Sequence, residues 1–149
     1  MYHRYPYVKK STPKVTYTVI TDVETEVITL EEAKQFMQID FDDFDSVIYM
    51  LIKAARQEAE RYTGLSIGNR EIQLGGDWEE EDAYMPFEPI ISTSDSGVQV
   101  VGYTDQTLPG DLKLAILNMV HISFENRTTG LNYGTSLKLL DRSRRRVGL

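Results

Sequence analysis

The chain has 149 residues, 41% hydrophobic and 26% charged, the mixture of one globular domain of ordinary size rather than of a disordered or fibrous chain. It has no cysteine, which excludes disulfides, thiolate catalysis and cysteine-ligated zinc. No apolar run approaches the ~20 residues of a membrane span and Met1–Tyr7 lacks a signal-peptide core, so a soluble, intracellularly made protein with no membrane partner is expected.

Net charge is −7, but it is unevenly spread. Arg4, Lys9, Lys10 and Lys14 give the first 14 residues +4, and Lys138, Arg142, Arg144, Arg145 and Arg146 against Asp141 give the last stretch +4. That leaves −15 for residues 15–137. An acidic body repels duplex DNA, while basic ends suit phosphate, an acidic partner surface or a neighbouring copy.

Met1 to about Pro13 mixes Tyr, Lys and Pro without periodicity and reads as an extended arm. Val15–Val27 alternates β-branched and polar residues, with Val15, Tyr17 and Val19 on one side, and predicts a short strand or extended connector. Thr29 and Glu32 have capping-box spacing, and Leu30, Ala33, Phe36 and Met37 supply an apolar face, so a helix spans about Thr29 to Gln38. After the acidic linker Asp40–Asp45, a second helix runs from about Asp43 to Thr63. Its stripe is Phe44, Ile48, Ile52, Ala55, Ala59 and Tyr62, widened by Val47 and Leu51, with Ser46, Lys53, Gln57, Glu60 and Arg61 on the other side. Arg56 and Glu60 stand one turn apart and can pair, and Gly64 supplies a left-handed stop.

Ile67–Leu74 and Gly97–Tyr103 predict short strands, enough for a hairpin or small sheet, with Asp77–Asp82 as a solvated acidic loop between them. Pro109 suits a first helical turn. Leu112–Phe124 is apolar on most sides, so this helix is buried centrally or between subunits. A short last helix is expected from about Thr135 to Arg142. The fold class is therefore mainly α: a bundle of three to four helices with a small β element and extended basic termini. The expected organisation is an arm and connector over 1–27, a helical domain over 28–134 with a β insertion at about 65–107, and a basic tail over 135–149.

No chemistry emerges from the motifs. Asp40-x-Asp42-Asp43-x-Asp45 superficially matches a calcium loop, but its positions 6 and 12 hold Asp45 and Leu51 instead of Gly and Glu. His121, on the apolar helix, reads as a core or interface histidine, and His3 lies in the arm; neither has a second histidine at ligand spacing. Phosphate loops, nucleophile elbows and dinucleotide fingerprints are absent, and Glu79, Glu80 and Glu81 sit in a loop rather than on facing walls. No catalytic residue, cofactor or metal is assigned, and the protein is read as a non-enzyme. The cluster Arg142-Ser-Arg-Arg-Arg146 suits nucleic-acid contact or, at least as well, docking on a partner or another subunit.

Three stretches together resemble the head–tail connector (adaptor, or head-completion) family of tailed bacteriophages. They are Ile28-Thr-Leu-Glu-Glu-Ala-Lys-Gln-Phe-Met-Gln-Ile-Asp40, the run Asp42–Gly64 ending in Glu-Arg-Tyr-Thr-Gly64, and Leu108–Arg127 ending in Phe-Glu-Asn-Arg127. The closing Leu139-Leu-Asp-Arg-Ser-Arg-Arg145 is similar to the family's ending. Phe124 stands where the family usually has Tyr, and the arm precedes the family's usual start. The resemblance implies a structural virion protein, made in the host bacterial cytoplasm and located at the head–tail interface. It implies a ring, typically of twelve copies, below the portal, extending the channel through which double-stranded DNA passes without sequence-specific binding. Partners are then the portal, neighbouring subunits and a downstream neck or tail-completion protein.

On this reading Lys138, Leu139, Leu140, Arg142, Arg144, Arg145 and Arg146 bind the portal or a neighbouring subunit, and removing the tail leaves the helical fold intact. Tyr5, Tyr7, Lys9, Lys10 and Trp78 are candidate subunit contacts. The alternative is a small helical nucleic-acid-binding or regulatory protein. It would need a basic recognition helix, whereas the third helix offers only Lys113 before Arg127.

Overall fold

The computed structural model describes residues 11–127 and 134–145. In chain order the elements are β1 (Val15–Thr21), α1 (Leu30–Met37), α2 (Asp45–Thr63), β2 (Arg70–Gly76), β3 (Ile90–Thr93), β4 (Val98–Val101), α3 (Gly110–Glu125) and α4 (Gly134–Asp141). Four helices and a small antiparallel sheet confirm the expected fold class, and the helix boundaries fall within a few residues of those read from periodicity.

Local chemistry accounts for the helix ends. Thr29 accepts the Glu32 N–H and Glu32 accepts the Thr29 N–H, a complete capping box that starts α1. Thr29→Ala removes one of these bonds and is expected to cost about 1 kcal/mol, measurable as a lower midpoint in urea unfolding. Gly64 ends α2 at φ 74°, a left-handed conformation a side chain would strain.

Helix α3 is the centre of the bundle. Leu112, Ala115, Ile116, Met119 and Val120 are essentially inaccessible, and they pack with Ile48, Ile52, Ala55 and Ala59 of α2, Ala33 of α1 and Leu140 of α4. Each large aliphatic side chain so buried contributes roughly 1.5–3 kcal/mol. At the open end of the bundle the Arg127 guanidinium lies over both the Phe44 and Phe124 rings, 4.6 and 4.4 Å from their centroids.

The sheet has strand order β1-β2-β4-β3, all neighbours antiparallel. Tyr17 and Val19 face Leu74 and Ile72 across the ladder, as the alternation of β1 requires. Yet β1 is an edge strand, and Tyr17 and Val19 remain 49% and 41% exposed. Strand β3 is an addition to the sequence reading, which found only its neighbours. Among the described residues no strand backbone packs beside a helix, although the Arg70 side chain of β2 reaches α2. Sheet and bundle meet instead through the segments flanking β2 and following β4, where Ile67 bridges Tyr103.

Candidate functional site

Two features fix how the sheet is carried on the helices. The first is a chain of ion pairs beneath the connector between β1 and α1. Arg56, 4% exposed, donates from Nε and Nη2 to the two carboxylate oxygens of Glu26 at 2.6 and 3.2 Å, and from Nη1 to Glu60 at 3.0 Å. Glu60 also receives a fork from Arg70 of β2, at 2.7 and 2.8 Å, and the Ile67 N–H at 2.8 Å. Arg70 continues to Asp22 at 2.7 Å and to the Ser66 hydroxyl at 2.8 Å. Burial works against the Arg70 charge, but Glu60 and then Asp22 outweigh it and raise the pKa.

The second feature is Arg145. Its side chain is 7% exposed and donates to the carbonyls of Met85, Pro86 and Gly64 at 2.8, 3.0 and 3.2 Å. Its guanidinium covers the Tyr84 ring at 4.4 Å, and its backbone N–H bonds the Thr63 carbonyl at 2.8 Å. The arginine thus clamps the end of α2 to the segment before β3. Leu140 is fully buried in the bundle core and Leu139 packs partly against it. Removing the tail therefore opens the core, contrary to the expectation that the fold would survive it.

The other tail cations differ. Lys138 and Arg142 are exposed, and Arg144 is exposed with its guanidinium over the Tyr62 ring at 5.1 Å. Arg146 lies outside the described residues, as do Tyr5, Tyr7, Lys9 and Lys10. Trp78 is half-buried beside the β3–β4 turn. At Gly97, φ is 83°, a conformation that strains any side chain, and a Cβ there would also stand 3.1 Å from the indole and press on the ring. His121 is not in the core: its side chain is 44% exposed, its ring meets the Phe36 ring edge-on at 6.1 Å, and Nε2 is 3.5 Å from Glu125. In the acidic linker, Asp42 and Asp45 share the Lys34 ammonium at 2.6 and 2.8 Å. Among the described residues no group of three or more histidines and carboxylates gathers as a metal site, and no helix is long and apolar enough to cross a membrane.

Large apolar side chains also stand in solvent. Phe41, Tyr49 and Met50 (46%, 49% and 65% exposed) mark the start of α2, and Tyr17, Val19 and Ile20 mark the sheet edge. Tyr49 and Met50 fall outside the apolar stripe of α2, and that displacement was the available sequence signal for a second, outward-facing patch.

Two carboxylates link this architecture to pH. The Val23 N–H, then the Arg70 guanidinium, hold Asp22 below its ordinary 3.8 despite partial burial. Burial acts to raise Glu32, but Lys113 and the Thr29 N–H overcome it and bring the pKa below 4.5. Depressed carboxylates stabilise the fold fully above their unfolded values, and that contribution disappears as pH falls through the folded ones. Thermal melting should therefore be flat above about pH 5 and fall below it, with a shallower fall in Asp22→Asn and Glu32→Gln.

The model of the phage gp6-like head–tail connector protein family matches residues 27–139, and the chain belongs to that family of structural connectors of the virion. No curated protein matches the sequence. Among solved structures, the fold is similar to a chain in the virion of a native gene transfer agent (GTA) particle: TM-score 0.71, 16% identity, 90% of this chain and 97% of that one. It is also similar to a chain in the neck of an empty GTA particle computed with C6 symmetry: TM-score 0.61, 12% identity, and again 90% and 97%. The overlap with the crystal structure of bacteriophage HK97 gp6 is looser, with TM-score 0.48 at 18% identity over 80% of this chain and 94% of that one.

Proposed function

We propose that this connector assembles as a closed ring at the portal vertex of the filled head, surrounding the channel through which duplex DNA leaves and presenting a surface to the next neck or tail-completion protein. The observation that carries this reading is the match to the connector family over residues 27–139; exposed apolar side chains at two unlike places, Phe41, Tyr49 and Met50 around the start of α2 and Tyr17, Val19 and Ile20 on β1, are surfaces a neighbouring copy could cover. Contact between two unlike surfaces is head-to-tail, and such contacts generate rings when the rotation closes. The charge pattern supports the same reading. Residues 15–137 carry −15, and a negative wall does not hold the phosphate backbone, so DNA can slide past. Lys138 and Arg142, exposed on the tail, are among the cations that could meet an acidic surface of the portal.

Light scattering over a concentration series, with negative-stain images of the same fractions, tests the ring. Closed annuli with a central hole are the expected outcome, and a monomer at every concentration contradicts self-assembly. Met50→Glu should abolish the annuli while leaving the subunit's melting temperature nearly unchanged, because surface substitutions away from buried partners shift stability by only about 0.5 kcal/mol. A compact dimer that shifts duplex DNA in a salt-dependent way would favour the nucleic-acid-binding alternative instead.

A further inference from the structure

Among the described residues the sheet has two free edges, β1 at one end and β3 at the other. Neither strand contains a charged residue or a proline, the usual guards of an exposed edge. All four residues of β3 are exposed, and so is all of β1 except Val15. We propose that β1 of one subunit pairs antiparallel with β3 of the next, so that one sheet continues across each subunit contact. This inference rests on the ring proposed above and names one of its contacts.

Topology fixes the direction. Each strand runs opposite to its neighbour in the order β1-β2-β4-β3, so the two edge strands run opposite to each other. A second copy in the same orientation therefore brings its β1 beside β3 with the antiparallel alternation unbroken. Pairing β1 with another β1 would instead need a two-fold axis, and a two-fold contact closes at a dimer.

The faces match as well. Val19, Ile72, Gln99 and Thr93 stand directly opposite one another across the four strands, so they share one face. On that face, between the 77–89 segment and β3, runs a groove of about 560 Å³ lined by Trp78, Met85, Ile90, Thr93 and Gln99. A strand added to β3 carries alternate side chains over this groove. The register that fits sets Tyr17 opposite Thr93, Thr18 opposite Ser92 and Val19 opposite Ile90. Ile91 then stays outside the pairing, as it already does against β4.

This register meets two needs. Gln99, 1% exposed, donates from Nε2 to the Thr93 hydroxyl at 3.0 Å, but among the described residues its Oε1 has no partner. The incoming Tyr17 hydroxyl is the donor that this buried acceptor lacks. Lys14, just before β1, also comes to the β3–β4 turn beside Asp95. Both are exposed, and neither has an ion-pair partner among the described residues.

The chain has no cysteine, so Thr18→Cys combined with Ser92→Cys creates the only disulfide that oxidation can form. Within one subunit the two positions are three strand spacings apart, about 14 Å. A disulfide bridges Cα atoms up to only about 7 Å apart, so any bond joins two subunits. The oxidised annuli of the double variant should run as a ladder of covalent multimers on a denaturing gel, while each single variant stays monomeric there. In wild-type annuli, amide hydrogen exchange over Val15–Thr21 and Ile90–Thr93 should be slower than in the dissociated subunit. Annuli without covalent multimers, and with unchanged exchange in both strands, would overturn this inference and leave the ring standing. Covalent dimers of Thr18→Cys alone would overturn it by joining β1 to β1. Neither annuli nor multimers would overturn the ring and this contact together.

Discussion

Replacing Glu60 with alanine should cost the fold about 3–5 kcal/mol, because it takes one of two carboxylate partners from each of two largely buried arginines and the acceptor from the Ile67 N–H. One carboxylate serves three donors here: Arg56 of its own helix, the Arg70 fork from β2, and the Ile67 N–H. Its side chain is only 12% exposed and that of Arg56 only 5%, so water cannot replace what is removed. With the carboxylate gone, Arg56 keeps Glu26 and Arg70 keeps the largely exposed Asp22. The link between sheet and helix is lost, however, and for a chain of this size the melting temperature should fall by roughly 10–15 °C. Glu60→Gln preserves the shape and one acceptor and should be intermediate. Scanning calorimetry of the two variants decides the matter. A loss below about 1 kcal/mol for Glu60→Ala would place the pair among surface ion pairs of little weight.

Arg145→Ala should be the second most damaging change outside the apolar core, at roughly 2–3 kcal/mol, a value suited to a charged donor lost from buried acceptors. Three carbonyls from two separate segments converge on its guanidinium, and the Tyr84 ring covers it. Arg145→Lys keeps the charge but not the planar fork and should recover only part of the loss. Arg142→Ala, on an exposed neighbour in the same basic run, should leave urea unfolding unchanged. Equal effects at the two positions would contradict the clamp. The comparison also separates tail residues that hold the subunit together from those left free at its surface.

These two residues show where sequence reading reached and where it stopped. Helices α1, α2 and α3 were legible because their signals are local: a capping box at Thr29, a periodic stripe from Phe44 to Tyr62, a left-handed glycine at 64. The Arg56–Glu60 pair was legible for the same reason, being one turn apart on one helix. Its extension to Glu26, 30 positions from Arg56, and to Arg70, 10 positions from Glu60, was not, since the chain between has to fold first. Glu60 was accordingly placed on the solvent side of α2. Strand β3 escaped because it is four residues long, follows two prolines and is exposed throughout, so no alternation marks it. Arg145 looked like its neighbours in a basic run, and nothing in the run shows that backbone carbonyls of residues 64, 85 and 86 meet it. His121 was read as core or interface because α3 is apolar on most sides; its exposed place beside Phe36 excludes the core and is compatible with an interface.

Assignment of the chain to the head–tail connector family rests on residues 27–139, and the ring on the head is the claim that gives that family its meaning here. The most direct measurement is electron microscopy of DNA-filled, tailless heads incubated with the purified protein. The account predicts added annular density at a single vertex, coaxial with the portal and open along the DNA axis. Heads that remain bare, or that bind the protein over the whole capsid surface, would contradict it.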